Sequence, residues 1–254
     1  MPRRKIKKIN LGEADSRRRK IVEIILISLM AGLTIAVLFW WFGSRKTHQS
    51  QKSSYEIILG DQMDPISEKT AWDKHFDKAG YVYGKEPEPF LKEHLHLLPV
   101  GQVIDLACGE GRDMVFLATK GFRVEGVDIS EIALRKARRL AQESNVQITT
   151  KAADLRTYEI SANHYEVVVN MGYLNRDLIP KMYRALKPGG VIVFQNRTVA
   201  ELKEPKAGVP WRENLLELGE ARELLKVFEI LVYRETNDTK GAYVSVIGRK
   251  PVRK

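Results

Sequence analysis

Cysteine is almost absent from this chain. Cys108 stands alone among 254 residues, which excludes a disulfide framework within it. No Cys/His cluster has the spacing of a structural zinc site, and no metal is expected. Positive charge looks abundant at a net +10, but most of the chain has little excess of it. Residues 1–52 hold twelve Lys/Arg against three Asp/Glu, whereas residues 53–254 hold thirty against twenty-nine. The basicity belongs to an N-terminal tail, so overall charge gives no ground for a nucleic-acid role. Long apolar runs are equally scarce, with one exception described next. What is present, 44% hydrophobic and 8% aromatic residues, suffices for one large domain, or a medium one with an appendage.

The exception runs from Ile24 to Phe42, nineteen residues without a charge, and extends to 22 residues if Ile21, Val22 and Glu23 are included. As a helix at about 1.5 Å per residue it would cross the roughly 30 Å of a bilayer's hydrocarbon. Phe39, Trp40, Trp41 and Phe42 would then lie at one interface, where aromatic rings favour the headgroup region. A cleaved signal sequence would have a shorter apolar run followed by small residues; here the run ends in Trp-Trp-Phe. The expected organisation is a basic arm over 1–20, a transmembrane helix over 21–42 in contact with membrane lipid, a polar linker over 43–70 and a globular domain over 71–254. Nine basic residues precede the span and three follow it closely, a bias that keeps the N-terminus cytoplasmic and exports the domain.

From residue 86 onward the apolar periodicity alternates between helix-like and strand-like. Strands are predicted at 103–107, 122–127, 146–150, 166–170, 191–195, 228–233 and 242–248. Helices are predicted at 87–98, 113–120, 130–143, 177–186 and 216–227. Alternation at this spacing implies right-handed crossovers and a doubly wound, mainly parallel sheet. The last two strands are separated only by an Asn237-Asp238 turn, so they must be antiparallel.

Three acidic residues follow strands in turn. Val103-Ile104-Asp105-Leu106-Ala107-Cys108-Gly109-Glu110-Gly111-Arg112 is a strand, a Gly-rich turn and the start of a helix. Glycines at 109 and 111 admit close approach of a ligand, and the helix start offers free N–H groups to a carboxylate. A dinucleotide fingerprint needs a third glycine where Met114 stands. Asp105 would face an ammonium group, and a ligand with both ammonium and carboxylate fits the methionine half of S-adenosylmethionine. Asp128 ends the next strand, placed to accept from both hydroxyls of a ribose. Asp154 follows the third strand, placed to accept from an adenine amino group. Cys108, inside the turn, reads as a small filler.

Tyr83-Gly-Lys-Glu-Pro-Glu-Pro-Phe-Leu, the Leu98–Asp113 stretch and Val127-Asp-Ile-Ser-Glu-Ile-Ala-Leu-Arg-Lys-Ala resemble the tellurite-resistance-type branch of the class I S-adenosylmethionine-dependent methyltransferases. The resemblance spans roughly Trp72 to Lys250. It implies an α/β fold, a Rossmann-like seven-stranded sheet, mostly parallel with one antiparallel strand. It also implies that Asp105, Gly109, Gly111, Asp128 and Asp154 hold S-adenosylmethionine, with Tyr83 and Arg112 lining the cofactor or its mouth. Asn commonly follows that arginine in the family, whereas here it is Asp113.

Asn170-Met171-Gly172-Tyr173 has the Asn and Tyr of the Asn/Asp-Pro-Pro-Tyr run of amino-group nucleic-acid methyltransferases but neither proline, so no nucleic-acid partner is expected. Asn170, Tyr173 and Arg176 are candidates to face the substrate, and Trp211 and Arg212 lie in a segment able to cover it. The expected activity is methyl transfer from S-adenosylmethionine to a small-molecule acceptor at a membrane. The rival reading is a non-catalytic cofactor-binding or scaffold protein; a nicotinamide-dependent oxidoreductase is disfavoured by Met114 and Asp105. The charge bias would export the domain, yet the methyl donor is cytoplasmic, so an active enzyme is expected to face the cytoplasm.

Overall fold

The computed structural model describes residues 65–200, 214–238 and 241–252. Two helices precede the sheet, α1 (Pro65–Phe76) and the short α2 (Pro89–Glu93), followed by a single 3-10 turn at Leu95–Leu97. Then come β1 (Gln102–Leu106), α3 (Arg112–Thr119), β2 (Arg123–Asp128), α4 (Glu131–Glu143), β3 (Thr149–Ala152) and β4 (Tyr165–Met171). The chain continues with α5 (Leu178–Ala185), β5 (Leu186–Arg197), α6 (Glu220–Leu224), β6 (Glu229–Asp238) and β7 (Gly241–Arg249). The seven strands form one sheet in the order β3-β2-β1-β4-β5-β7-β6. Pairing is parallel from β3 to β5 and antiparallel where β7 meets β5 and β6.

The central strands are apolar on both faces, as a sheet covered by helices on both sides requires. Side-chain alternation sends Ile104, Val168, Ile192 and Phe194 into one core with Leu178 and Met182 of α5. Val103, Val167, Val169, Val191 and Val193 enter the other with Met114 and Leu117 of α3 and Ala137 and Leu140 of α4. A cleft lies at the carboxyl ends of the strands. There strand order reverses direction between β1 and β4, and a crevice opens.

Two local devices set the crevice floor and wall. Gly111 caps α3 at φ 81°, and a Cβ built on it would lie 2.6 Å from the Ala137 Cβ. Only glycine lets the turn after β1 press against α4 in this way. The wall is α1, which docks on the start of α4 through Asp73. Its Oδ1 accepts from the Ser130 hydroxyl at 2.7 Å and from the Ile132 N–H at 3.4 Å. Ser130 in turn caps α4 by accepting from the Ala133 N–H. A carboxylate at a helix N-terminus is favoured by the free N–H groups there.

Four expectations change. The linker predicted over 43–70 ends earlier, because α1 begins at Pro65. The helix predicted over 216–227 shortens to Glu220–Leu224, with left-handed Gly219 (φ 81°) before it. The Lys187-Pro-Gly-Gly run, whose residues are expected to do no more than break the helix before them, lies within β5. Leu186 already pairs with Tyr165, and the run is absorbed as an irregularity before Val191 pairs with Val167. The predicted Asn237-Asp238 turn is strand, the hairpin's last pair being Asp238 with Gly241. Among the described residues no helix is long and apolar enough to cross a membrane; the predicted span at 21–42 lies outside them, as do Trp211 and Arg212.

Gly111→Ala should destabilise the domain by about 2–4 kcal/mol, combining a disfavoured positive φ with overpacking. Adding Ala137→Gly should recover the overpacking part. Thermal denaturation checks both, and an unaltered midpoint in Gly111→Ala would show that the close approach does not exist.

Candidate functional site

A cleft of about 260 Å³ opens at the carboxyl ends of β1, β2, β4 and β5 and is walled by α1 and by the segment around Tyr83. Asp105, Gly109, Arg112, Asp128, Asp154, Tyr83 and Tyr173 all line it, so most of the predicted site residues converge. Gly111 lies under its floor, against Ala137.

Asp105 is only 4% exposed, and among the described residues its carboxylate takes part in no hydrogen bond. Burial, together with the negative Asp113 and Asp128, pushes its pKa well above the ordinary carboxylate range. A buried carboxylate without a donor is costly and is relieved by a cation placed against it. Asp128 is held differently: Oδ2 accepts from the Gly109 N–H and Oδ1 from the Ser130 N–H, both at 2.8 Å. These two bonds fix the carboxylate across the Gly-rich turn and still leave lone pairs toward the cleft. Burial outweighs them and raises its pKa to about 6.

Asp154 is less available than the sequence implies. The Arg156 guanidinium grips both its oxygens at 2.8–3.0 Å and holds its pKa down. Arg156 also reaches Glu68 of α1 at 2.9 Å, so an adenine amino group would share Asp154 with this bridge. Arg112 points its guanidinium at Glu88 and the Tyr83 carbonyl, which fastens the Tyr83–Glu88 segment over the cleft. Asp113 does related work, since its Oδ1 accepts from the Glu88 N–H at 2.7 Å. The residue that departs from the family pattern is therefore satisfied, with burial raising its pKa to about 6.

Two predicted substrate residues do not line the cleft. Asn170 is 1% exposed and is not part of the cleft. Its amide donates to the Leu106 carbonyl at 3.3 Å and accepts from Asn196 at 3.5 Å, a strut between β1, β4 and β5. Arg176 does not line the cleft and is bonded to Glu220 at 2.5 and 3.0 Å and to the Leu215 carbonyl at 3.2 Å. Cys108 is half-buried with its thiol pKa pushed far up by burial and the neighbouring Asp128, which makes it inert as a nucleophile. The sequence reading missed Glu68, Trp72 and Phe76 of α1, and Gln195, Arg197 and Tyr243 at the β5–β7 end. A signal existed for the first group, because positions 68, 72 and 76 recur at helical spacing. For the second, Gln195 and Arg197 are polar residues two apart at the end of an apolar strand.

Residues 103–190 match the family model described as a methyltransferase domain. The "Probable S-adenosyl-L-methionine-dependent methyltransferase TehB" of Haemophilus influenzae is 27% identical over 138 residues, covering 53% of this chain and 48% of that protein. Its crystal structure superposes with a TM-score of 0.52 at 22% identity, over 72% of this chain and 66% of that one. A "Ubiquinone biosynthesis O-methyltransferase" of Idiomarina loihiensis is 34% identical over 118 residues, 43% of this chain and 49% of the relative. The structure of the PH0226 protein of Pyrococcus horikoshii gives a TM-score of 0.54 at 20% identity, over 63% and 88% of the two chains. The chain spans about half the length of the curated relatives it matches. The matched residues and the sheet order are similar to those of methyltransferase domains, and that similarity implies S-adenosylmethionine as the cofactor. The cleft fits that cofactor, because the undonated Asp105 carboxylate answers an ammonium group and the Gly-rich turn leaves room beside it.

Asp113 has a folded-state pKa raised above the unfolded 3.8 to about 6. Its contribution to stability is therefore present below about pH 4 and lost as pH rises through about 6. Asp113→Asn keeps an acceptor for the Glu88 N–H and removes the buried charge. It should stabilise the ligand-free protein by about 2–3 kcal/mol at pH 7.5, on the scale of 1.4 kcal/mol per pKa unit, and by nothing near pH 4. Chemical denaturation at the two pH values checks this; equal effects at both would refute it.

Proposed function

We propose that this protein is a membrane-anchored methyltransferase that moves a methyl group from S-adenosylmethionine to a small-molecule acceptor. The observation that carries the reading is the buried, undonated carboxylate of Asp105 beside a glycine turn that Asp128 braces. Asp105 would take the ammonium group and the start of α3 the carboxylate. Asp128 would take the ribose hydroxyls, and Asp154 the adenine amine. When bound there, the cofactor supplies an electrophilic methyl group on a sulfonium. The chain's own part is alignment: in-line displacement gains chiefly from holding two reactants in register. The aromatic side chains of Trp72, Phe76 and Tyr83 wall that position against water and suit a sulfonium, since ring faces attract cations.

Residues 21–42 supply the anchor in this reading, and the basic arm at 1–20 rests on anionic headgroups. The domain faces the cytoplasm, where the methyl donor is available, against the bias of nine basic residues before the span and three after it. The near-neutral charge of residues 53–254 supports a small-molecule rather than a nucleic-acid acceptor.

Asp128→Ala should weaken S-adenosylhomocysteine binding by about 1–3 kcal/mol, the cost of leaving buried polar groups unmatched, whereas Arg176→Ala should leave it unchanged. Isothermal titration reads both; equal effects would remove Asp128 from the site. Protease added to spheroplasts should spare the domain, and digestion alongside an intact cytoplasmic control would reverse the assigned sidedness.

A further inference from the structure

The cleft mouth joins two residues that are eight apart in sequence. His75 Nε2 lies 3.0 Å from the Tyr83 hydroxyl, and their ring centroids are 5.6 Å apart. Tyr83 lines the cleft. His75 stands on the α1 face that carries Trp72 and Phe76, and both of those rings meet the imidazole edge-on at 5.4 and 5.0 Å. These contacts fix the imidazole plane behind the tyrosine.

The cleft's carboxylates are otherwise engaged. Asp154 and Glu68 hold Arg156, Glu88 holds Arg112, Asp113 holds the Glu88 N–H and Asp128 holds two backbone N–H groups. Asp105, at the strand end, would hold the cofactor's amino-acid portion in that reading. A base for the acceptor must come from elsewhere.

We propose that Tyr83 and His75 form a proton relay for the methyl acceptor, Tyr83 touching the acceptor and His75 holding the proton behind it. This rests on the methyltransferase reading above and names its substrate class: a protic acceptor, with a hydroxyl or thiol that loses its proton as it is methylated. The acceptor's X–H proton passes to Tyr83 Oη as the Tyr83 proton passes to His75 Nε2. The X–H electron pair becomes the new X–CH3 bond, and the old S–CH3 pair stays on sulfur. The sulfonium charge disappears as the imidazolium charge appears, so charge is conserved.

The surroundings suit these roles. Burial, with Lys78 and Lys136 working against Glu110, lowers the His75 pKa, which leaves a neutral acceptor at pH 7. Burial raises the Tyr83 pKa, with Arg197 and Arg112 opposing and Glu110 and Tyr243 adding to it, so the phenol keeps a proton to pass on. Glu110 also pairs with Lys136 at 2.8 Å and accepts from the Tyr83 N–H at 3.3 Å. One buried carboxylate thus holds Tyr83 by its backbone and stands near the imidazolium that the relay forms.

The test uses the full-length protein in detergent micelles with three readouts. First, isothermal titration with S-adenosylhomocysteine should give unchanged affinity in His75→Gln; if the wild type binds none, the methyltransferase reading itself has failed. Second, nitrogen-15 NMR of His75 should show an unprotonated, hydrogen-bonded Nε2, with the imidazole pKa rising in Tyr83→Phe as the donor is lost. A proton on Nε2, or a pKa that ignores Tyr83→Phe, overturns the relay even though cofactor binding persists. Third, labelled methyl transfer is measured to 3,4-dihydroxybenzoate and dithiothreitol, which are protic, and to iodide, which needs no base. Transfer to a protic probe should lose its acidic pH limb and about 10- to 100-fold in kcat in His75→Gln, the scale of one general base, with the KM for S-adenosylmethionine unmoved. Transfer to iodide alone, or a pH limb retained in His75→Gln, overturns the proposal.

Discussion

The burial of the Asp105 carboxylate without a donor is the constraint on which the rest of this structure turns. A lone ionised group in a dry interior costs several kcal/mol unless it neutralises or finds a partner. Here two further carboxyls, Asp113 and Asp128, add their fields to the same place. The fold accepts this because the surrounding sheet is apolar on both faces, with Ile104 and Leu106 beside Asp105 fully buried. A cation delivered to Asp105 relieves the strain. In the proposed reading, destabilisation of the ligand-free state becomes affinity for a ligand that carries an ammonium group, in the same way that other sites store cost for function.

The glycine turn and α1 follow from that constraint. Gly111 brings the start of α3 against Ala137 of α4, so the backbone of the turn, rather than a side chain, faces the ligand. Asp128 then spans the turn by accepting from Gly109 and Ser130. Ser130 links the same corner to α1 through Asp73. Cofactor floor and aromatic wall are thus one hydrogen-bonded chain, and α1 carries the Trp72, His75 and Phe76 rings to the mouth.

The sheet and the meeting of its strand-end aspartates at one cleft were legible in the sequence because their signals are local. Period-two and period-3.6 patterns mark β1, β2, β4 and α4, and each strand-end aspartate sits beside its own turn. The engagement of Asn170 and Arg176 outside the cleft lining was not legible, for a different reason. Their partners, Leu106 with Asn196 and Leu215 with Glu220, lie from 26 to 64 positions away, and no local pattern announces such a partner. The first helix escaped notice because its apolar face is a few aromatic side chains among charges, and its closing contacts are tertiary. The β5–β7 end, with Arg197 stacked 5.7 Å above the Tyr243 ring, exists only once antiparallel register brings those residues together. The acceptor is the least legible part, since one fold can serve many different substrates.

Calorimetry on Asp105→Asn tests the central claim most directly, with S-adenosylhomocysteine compared against 5′-methylthioadenosine, which keeps the nucleoside but has neither ammonium nor carboxylate. The account predicts that the substitution weakens S-adenosylhomocysteine by at least about tenfold, the scale of one charge-assisted hydrogen bond, and leaves methylthioadenosine unchanged. Equal loss for both ligands, or none for either, would contradict it.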